Sequence, residues 1–200
     1  MKKYSVLVER KISRRSELIK KIKELKPNTV VLFIVSGKKF HETNMTILKS
    51  LMQAKEYMGI YITISKPYEV LVRQLKKEKI DVSRLYFIDA ISKSVYDKIE
   101  TTENCIYIPS PQSLTDLAIV ISRIVEMMKK RENKFLFLDS LSTLLMYNKP
   151  EIVAQFAHFL VTRLRRVGLI GIIISIEKQI DEKLLYLLVE ICDKIWEVEL

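Results

Sequence analysis

Glycine and proline are scarce, 4 and 5 in 200 residues, which excludes collagen-like and linker-rich chains and argues against a turn-dense all-β fold. Only two cysteines occur, Cys105 and Cys192, far apart and with no second Cys or His nearby. Neither a disulfide framework nor a zinc site follows, and no metal is expected. The longest apolar runs, such as residues 168–176, fall well short of a membrane span, so no membrane association is expected. Met1-Lys2-Lys3 is followed by no long apolar stretch, which predicts no secretory signal and a cytoplasmic, reducing setting. What is present is the balance of a globular chain, 48% hydrophobic and 29% charged. At this length one domain over residues 1–200 can bury a substantial core.

The net charge of +10 is unevenly spread. Residues 1–39 hold 12 Lys/Arg against 3 Glu, leaving only +1 for the other 161 residues. A basic strand–helix segment at about residues 1–27 therefore stands apart. Such a cluster attracts an anionic partner through phosphate neutralisation, RNA or a ribonucleoprotein being the expected class. A solvated Lys-rich surface gives the same count, and no aromatic platform accompanies the patch. The candidate contacts are Lys11, Arg14, Arg15, Lys20, Lys21 and Lys23.

Strands alternate with helices along the chain. Tyr4 to Val8 is a candidate strand, and Ser13 a candidate cap for a helix running to about Lys26. Residues 29–35 form a continuous apolar run, the signature of a strand covered on both faces. A helix over 44–57, a strand over 59–65, a helix from Pro67 and a strand over 84–88 ending at Asp89 follow. Residues 105–108 are extended. Ser113 with Asp116 reads as a capping box for a long helix, and residues 135–138 form another strand. A helix over 150–166, a strand over 169–176, a helix over 182–191 and a strand over 195–198 close the series. Helix-length crossovers between such strands imply a mostly parallel sheet with helices on both faces. Ligands in these sheets bind beyond the carboxyl ends of the strands, so the loops after Val35, Ser65, Asp89 and Leu138 matter most.

The most specific stretch is Phe135-Leu136-Phe137-Leu138-Asp139-Ser140-Leu141-Ser142. Four apolar residues deliver a carboxylate to a strand end, where it can orient metal-bound water beside a nucleotide phosphate. With its continuation, the stretch resembles the Walker B strand of the RecA superfamily, in the KaiC-like branch. Phe159-Leu160, Arg163-Leu164, Gly168-Leu169-Ile170 and Ile191-Cys192-Asp193-Lys194-Ile195 resemble later family segments, in family order. The resemblance covers roughly residues 27–200 and is sharp at residue level only around Asp139. It implies a three-layer RecA-like α/β fold, similar to archaeal KaiC-like proteins described as inactivated ATPases.

The departures from that family are specific. A phosphate-binding loop needs glycines, a Lys and a Ser/Thr. Registering Gly37 as the first glycine puts Glu42 at the second, Thr43 at the Lys and Asn44 at the Ser/Thr. The acidic residues that KaiC-like ATPases commonly carry after the next strand are also missing from Thr63-Ile64-Ser65-Lys66-Pro67. The resemblance thus implies a vestigial nucleotide edge of Gly37, Lys38, Lys39, Thr43, Asp139 and Ser140, with no catalytic residues and no ATP or Mg²⁺ cofactor expected. Asp89 either shares this edge or caps a loop. His41 and His158 read as surface residues, and the two cysteines as buried packing.

The reading is a pseudo-ATPase that acts as a regulatory or scaffold binding module for a protein or ribonucleoprotein partner. RecA-type domains assemble through sheet edges and helix surfaces, so a homodimer is expected. The alternatives are an RNA- or ribosome-associated factor using the basic segment, and an atypical nucleotide binder or weak ATPase.

Overall fold

Strands that are apolar at nearly every position must be covered on both faces, and crossover helices supply both covers. A computed structural model of the chain describes residues 10–54, 57–177, 179–180 and 182–200. The elements run β1 (Arg10–Ile12), α1 (Arg15–Lys23), β2 (Val30–Val35), α2 (Phe40–Ala54), β3 (Met58–Thr63), α3 (Tyr68–Lys77), β4 (Leu85–Asp89) and α4 (Ser92–Val95). They continue with β5 (Cys105–Tyr107), α5 (Leu114–Met127), β6 (Lys134–Asp139), α6 (Leu141–Tyr147), α7 (Pro150–Arg166), β7 (Ile170–Ile176), α8 (Glu182–Ile191) and β8 (Lys194–Val198). All eight strands are parallel in one sheet, ordered β1-β8-β2-β7-β6-β3-β4-β5.

The side-chain period of two sorts each central strand between two cores. Val30, Leu32 and Ile34 of β2 pack with the inward faces of α5, α6, α7 and α8. Val31, Phe33 and Val35 pack with α1, α2 and α3 on the opposite side. On β6, Leu136 and Leu138 join the first core, while Phe135 and Phe137 join the second. Asp139 continues the parity of Phe135 and Phe137 and so projects toward α2. The result is a three-layer α/β sandwich, as expected.

Several boundaries differ from the sequence reading. The candidate strand at Tyr4 to Val8 lies outside the described residues; β1 is instead Arg10–Ile12, paired with β8. Helix α1 begins at Arg15, with Arg14 rather than Ser13 in the cap position. Helix α2 begins at Phe40, four residues before the expected start, after a single 3-10 turn over Gly37–Lys39. Ser113 occupies the cap position of α5, but its side chain makes no capping hydrogen bond, so the proposed capping box does not form. Helix α6 was not expected, because seven residues after a strand carry too little periodicity to separate a helix from a loop. Helix α7 matches its expected span, and Gly168 after it takes a φ of 76°, the left-handed conformation that ends helices. No described helix is long and apolar enough to cross a membrane.

Candidate functional site

The carboxyl ends of β2, β7, β6, β3 and β4 form the edge where a ligand would approach. Asp139 ends β6 there, in register with Thr63 of β3, and is only 5% exposed. Both carboxylate oxygens are engaged. Tyr61 Oη donates to Oδ2 at 2.6 Å, and Asn44 Nδ2 donates to Oδ1 at 3.1 Å. Tyr61 is wholly buried and is held by a stacked contact with Phe137, ring centroids 5.0 Å apart. Asn44 comes from the second turn of α2, which lies across β7 to reach β6. Burial raises the Asp139 carboxyl to about 6, against the opposing effects of the Tyr61 hydrogen bond, the Lys66 charge and the Asn44 hydrogen bond. Burial, with the Asp139 charge beside it, pushes the Tyr61 hydroxyl well up, so Tyr61 remains a donor.

The other residues of this stretch are tied into the fold. Ser140 caps α6, its Oγ accepting from Thr143 N at 3.3 Å. Ser142 Oγ accepts from Ile176 N at 2.6 Å and lies 2.9 Å from Ser175 Oγ, which fastens α6 to β7. The peptide bond joining Asp139 to Ser140 is cis.

The predicted nucleotide edge is only partly brought together. Gly37, Lys38 and Lys39 are exposed in the turn after β2. Thr43 is buried in α2, and neither its Oγ1 nor Asn44 Oδ1 has a hydrogen-bond partner among the described residues. Lys39 Nζ bonds Glu42 Oε2 at 3.0 Å, and this hydrogen bond holds the Glu42 carboxyl below the ordinary carboxylate range. After β3, where an acidic residue was sought, Thr63 Oγ1 donates to the Lys66 carbonyl at 2.5 Å and Lys66 Nζ donates to Gln74 Oε1 at 3.0 Å.

Asp89 proves to be a cap. Its Oδ1 accepts from Ile91 N and Ser92 N, and its Oδ2 from Tyr68 N and Ser92 Oγ, at 2.6 to 2.8 Å. Those four bonds anchor the starts of α3 and α4. His41 and His158 are exposed and both cysteines are buried. Burial pushes each thiol up to about 12. Among the described residues no group of His, Cys, Asp and Glu is placed to hold a metal.

The basic candidates lie on β1, at the cap position of α1 and along α1, and two of them are engaged within the fold. Lys11 pairs with Glu199 at 2.8 Å, and Lys21 Nζ sits 5.4 Å from the Trp196 ring centroid. Arg14, Arg15, Lys20 and Lys23 are exposed.

In the sequence Tyr61, like Tyr68 and Tyr86, reads only as one of several tyrosines spread along the sheet without forming a stacking box. Its signal is parity: it occupies the β3 position paired with Phe137, two before Asp139, and so faces the same side of the sheet.

The all-parallel sheet between two helical layers is consistent with a RecA-like α/β fold, and the fold is KaiC-like. Two archaeal structures share it. A KaiC-like protein (PH0186) of Pyrococcus horikoshii OT3 superposes with a TM-score of 0.59 at 14% identity, covering 84% of this chain and 70% of that one. A second Pyrococcus horikoshii OT3 protein, PH0250, gives 0.59 at 17% identity over 91% of this chain and 87% of its own. By sequence the chain belongs to a family of unknown function, DUF7504, whose model matches residues 56–198. No curated protein matches the sequence.

Proposed function

We infer that this chain is a non-catalytic RecA-type domain that acts by binding a macromolecule. The observation that carries the reading is the closure of Asp139 by Asn44 and Tyr61. A carboxylate that serves Mg²⁺ and a triphosphate must keep an oxygen free toward the ligand. Here each oxygen already accepts a hydrogen bond within the protein and the carboxyl is buried, and Asn44 stands where the resemblance puts a hydroxyl. Glu42 adds a carboxylate at the start of α2, where the helix dipole would otherwise favour a phosphate. The residues present therefore do not fit Mg²⁺–ATP, and no hydrolytic step is assigned. Purified protein with Mg²⁺–ATP should release no phosphate above the buffer rate. Release abolished by Asp139→Ala would overturn the reading.

A second observation favours an anionic, RNA-containing partner. Residues 13–84, which include the α1–α3 layer, carry 16 Lys/Arg against 7 Asp/Glu, whereas residues 85–200 carry 14 against 16. Pull-down from native lysate at low and high salt, with and without RNase, separates the partners. RNase-sensitive recovery at low salt supports RNA, and one protein retained after RNase supports a purely protein partner.

A further inference from the structure

Large apolar side chains are exposed on α5, α6, α7 and α8 but not on the described parts of α1, α2 and α3. Ile119 of α5 is 50% exposed and Phe159 of α7 is 40% exposed, and they line a groove of about 640 Å³ between the two helices. Both helices precede strands of a parallel sheet, so they run in the same direction. Each carries an acid in its first turn, Asp116 on α5 and Glu151 on α7, and a cation further along, Arg123 on α5 and Arg163 on α7. On the outer stripe of α5, Asp116, Ile119 and Arg123 follow at helical spacing. On α7, Ile152, Phe159 and Arg163 do the same, an apolar start leading to a cation. Among the described residues none of Asp116, Arg123 and Arg163 has an ion-pair partner, and Arg163 Nε is buried without an acceptor. The fourth charge here, Glu126, is paired with Lys129.

We propose that this α5–α7 face is the contact between two copies of the chain. An isologous dimer places its two-fold axis in the interface plane. With the axis across the helices, the copies meet antiparallel, Asp116 of each opposite Arg123 of the other, with Ile119 and Phe159 near the centre. With the axis along the helices, acid would meet acid and cation cation. The charge pattern thus selects one arrangement. Arg123, Arg163 and Glu126 line the groove, and Asp116 is exposed on the same α5 stripe as Arg123, so the face carries both signs, a balance that suits a second copy better than a strongly charged partner. The opposite layer, rich in Lys and Arg, repels its own kind. Two helices side by side present roughly 20 by 25 Å on each copy, about 1,000 Å² in total, the lower end of what a specific interface needs. This inference goes beyond the binding role proposed above and does not depend on it.

Sedimentation equilibrium or light scattering at 10 to 200 μM tests it. The wild type should approach twice its 23.5 kDa across that range. Asp116→Arg should weaken the dimer at least tenfold, and adding Arg123→Asp to the same chain should restore it. Ile119→Cys should give a disulfide-linked dimer under mild oxidation, since Cys105 and Cys192 are buried. A wild type that stays monomeric throughout, or a dimer indifferent to Asp116→Arg with no Ile119→Cys cross-link, would overturn the proposal. All three variants change exposed positions, and circular dichroism checks that each remains folded.

Discussion

At the residue scale, Asp139 is a buried, hydrogen-bonded carboxyl with a titration signature. Burial places its carboxyl at about 6, above an unfolded aspartate at about 4. Between those values the folded protein binds more protons than the unfolded chain, so this group makes stability fall as pH rises through the window and level off above it. The full effect is about 3 kcal/mol at most. Urea denaturation of wild type and Asp139→Asn at pH 4 and pH 7 isolates it. The variant should gain on the wild type between the two by an amount of that order, while a constant difference would mean that Asp139 keeps an ordinary carboxyl. Tyr61→Phe should cost about 1 to 3 kcal/mol near pH 7, because it strips a buried carboxylate of one donor. The importance of Asp139 was legible in the sequence, since four apolar residues delivering a carboxylate is a local pattern. Its closure was not, because Asn44 and Tyr61 lie 95 and 78 residues away and meet it only through sheet order.

At the element scale, close packing fixes the sheet. Gly59 of β3 sits between Leu85 of β4 and Phe135 of β6, and a Cβ there would fall 2.2 Å from Phe135 Cζ and 2.7 Å from Leu85 Cδ2. Gly59→Ala should destabilise by about 1 to 3 kcal/mol in urea denaturation, whereas Gly37→Ala, whose nearest neighbour would be Ile176 Cγ2 at 3.6 Å, should stay within about 1 kcal/mol. Equal losses at the two would refute this packing. Long strands and helices such as β2, α7 and α8 were readable because their periodicity extends over several residues. The start of α2 was not: Phe40-His41-Glu42-Thr43 carries loop-like polarity, and its helical form depends on packing against α1 and the sheet. The α1 layer also limits the RNA reading. With Lys11 and Lys21 engaged by β8, Arg14, Arg15, Lys20 and Lys23 remain for phosphate, so affinity for single-stranded RNA should fall with log salt at a slope of roughly −3. Reversing those four to Glu should flatten the slope, and an unchanged slope would remove α1 from any RNA contact.

At the scale of the whole molecule, the sheet separates two surfaces with different chemistry. One layer carries most of the net positive charge, and the other exposes most of the large apolar side chains among the described residues, while the edge between them holds a buried carboxylate. Such a molecule can present one face to an anionic partner and another to a second copy without either interfering with the sheet edge. The proposed function requires that the sheet edge bind no nucleotide, and equilibrium titration of the wild-type protein with Mg²⁺–ATP, followed by calorimetry and by melting temperature, tests this most directly. A ligand present at about 100 times its dissociation constant would stabilise the fold by about 2.7 kcal/mol. The account predicts no saturable heat and no shift in melting temperature up to millimolar nucleotide. Saturable binding with a clear upward shift, lost in Asp139→Ala, would contradict it.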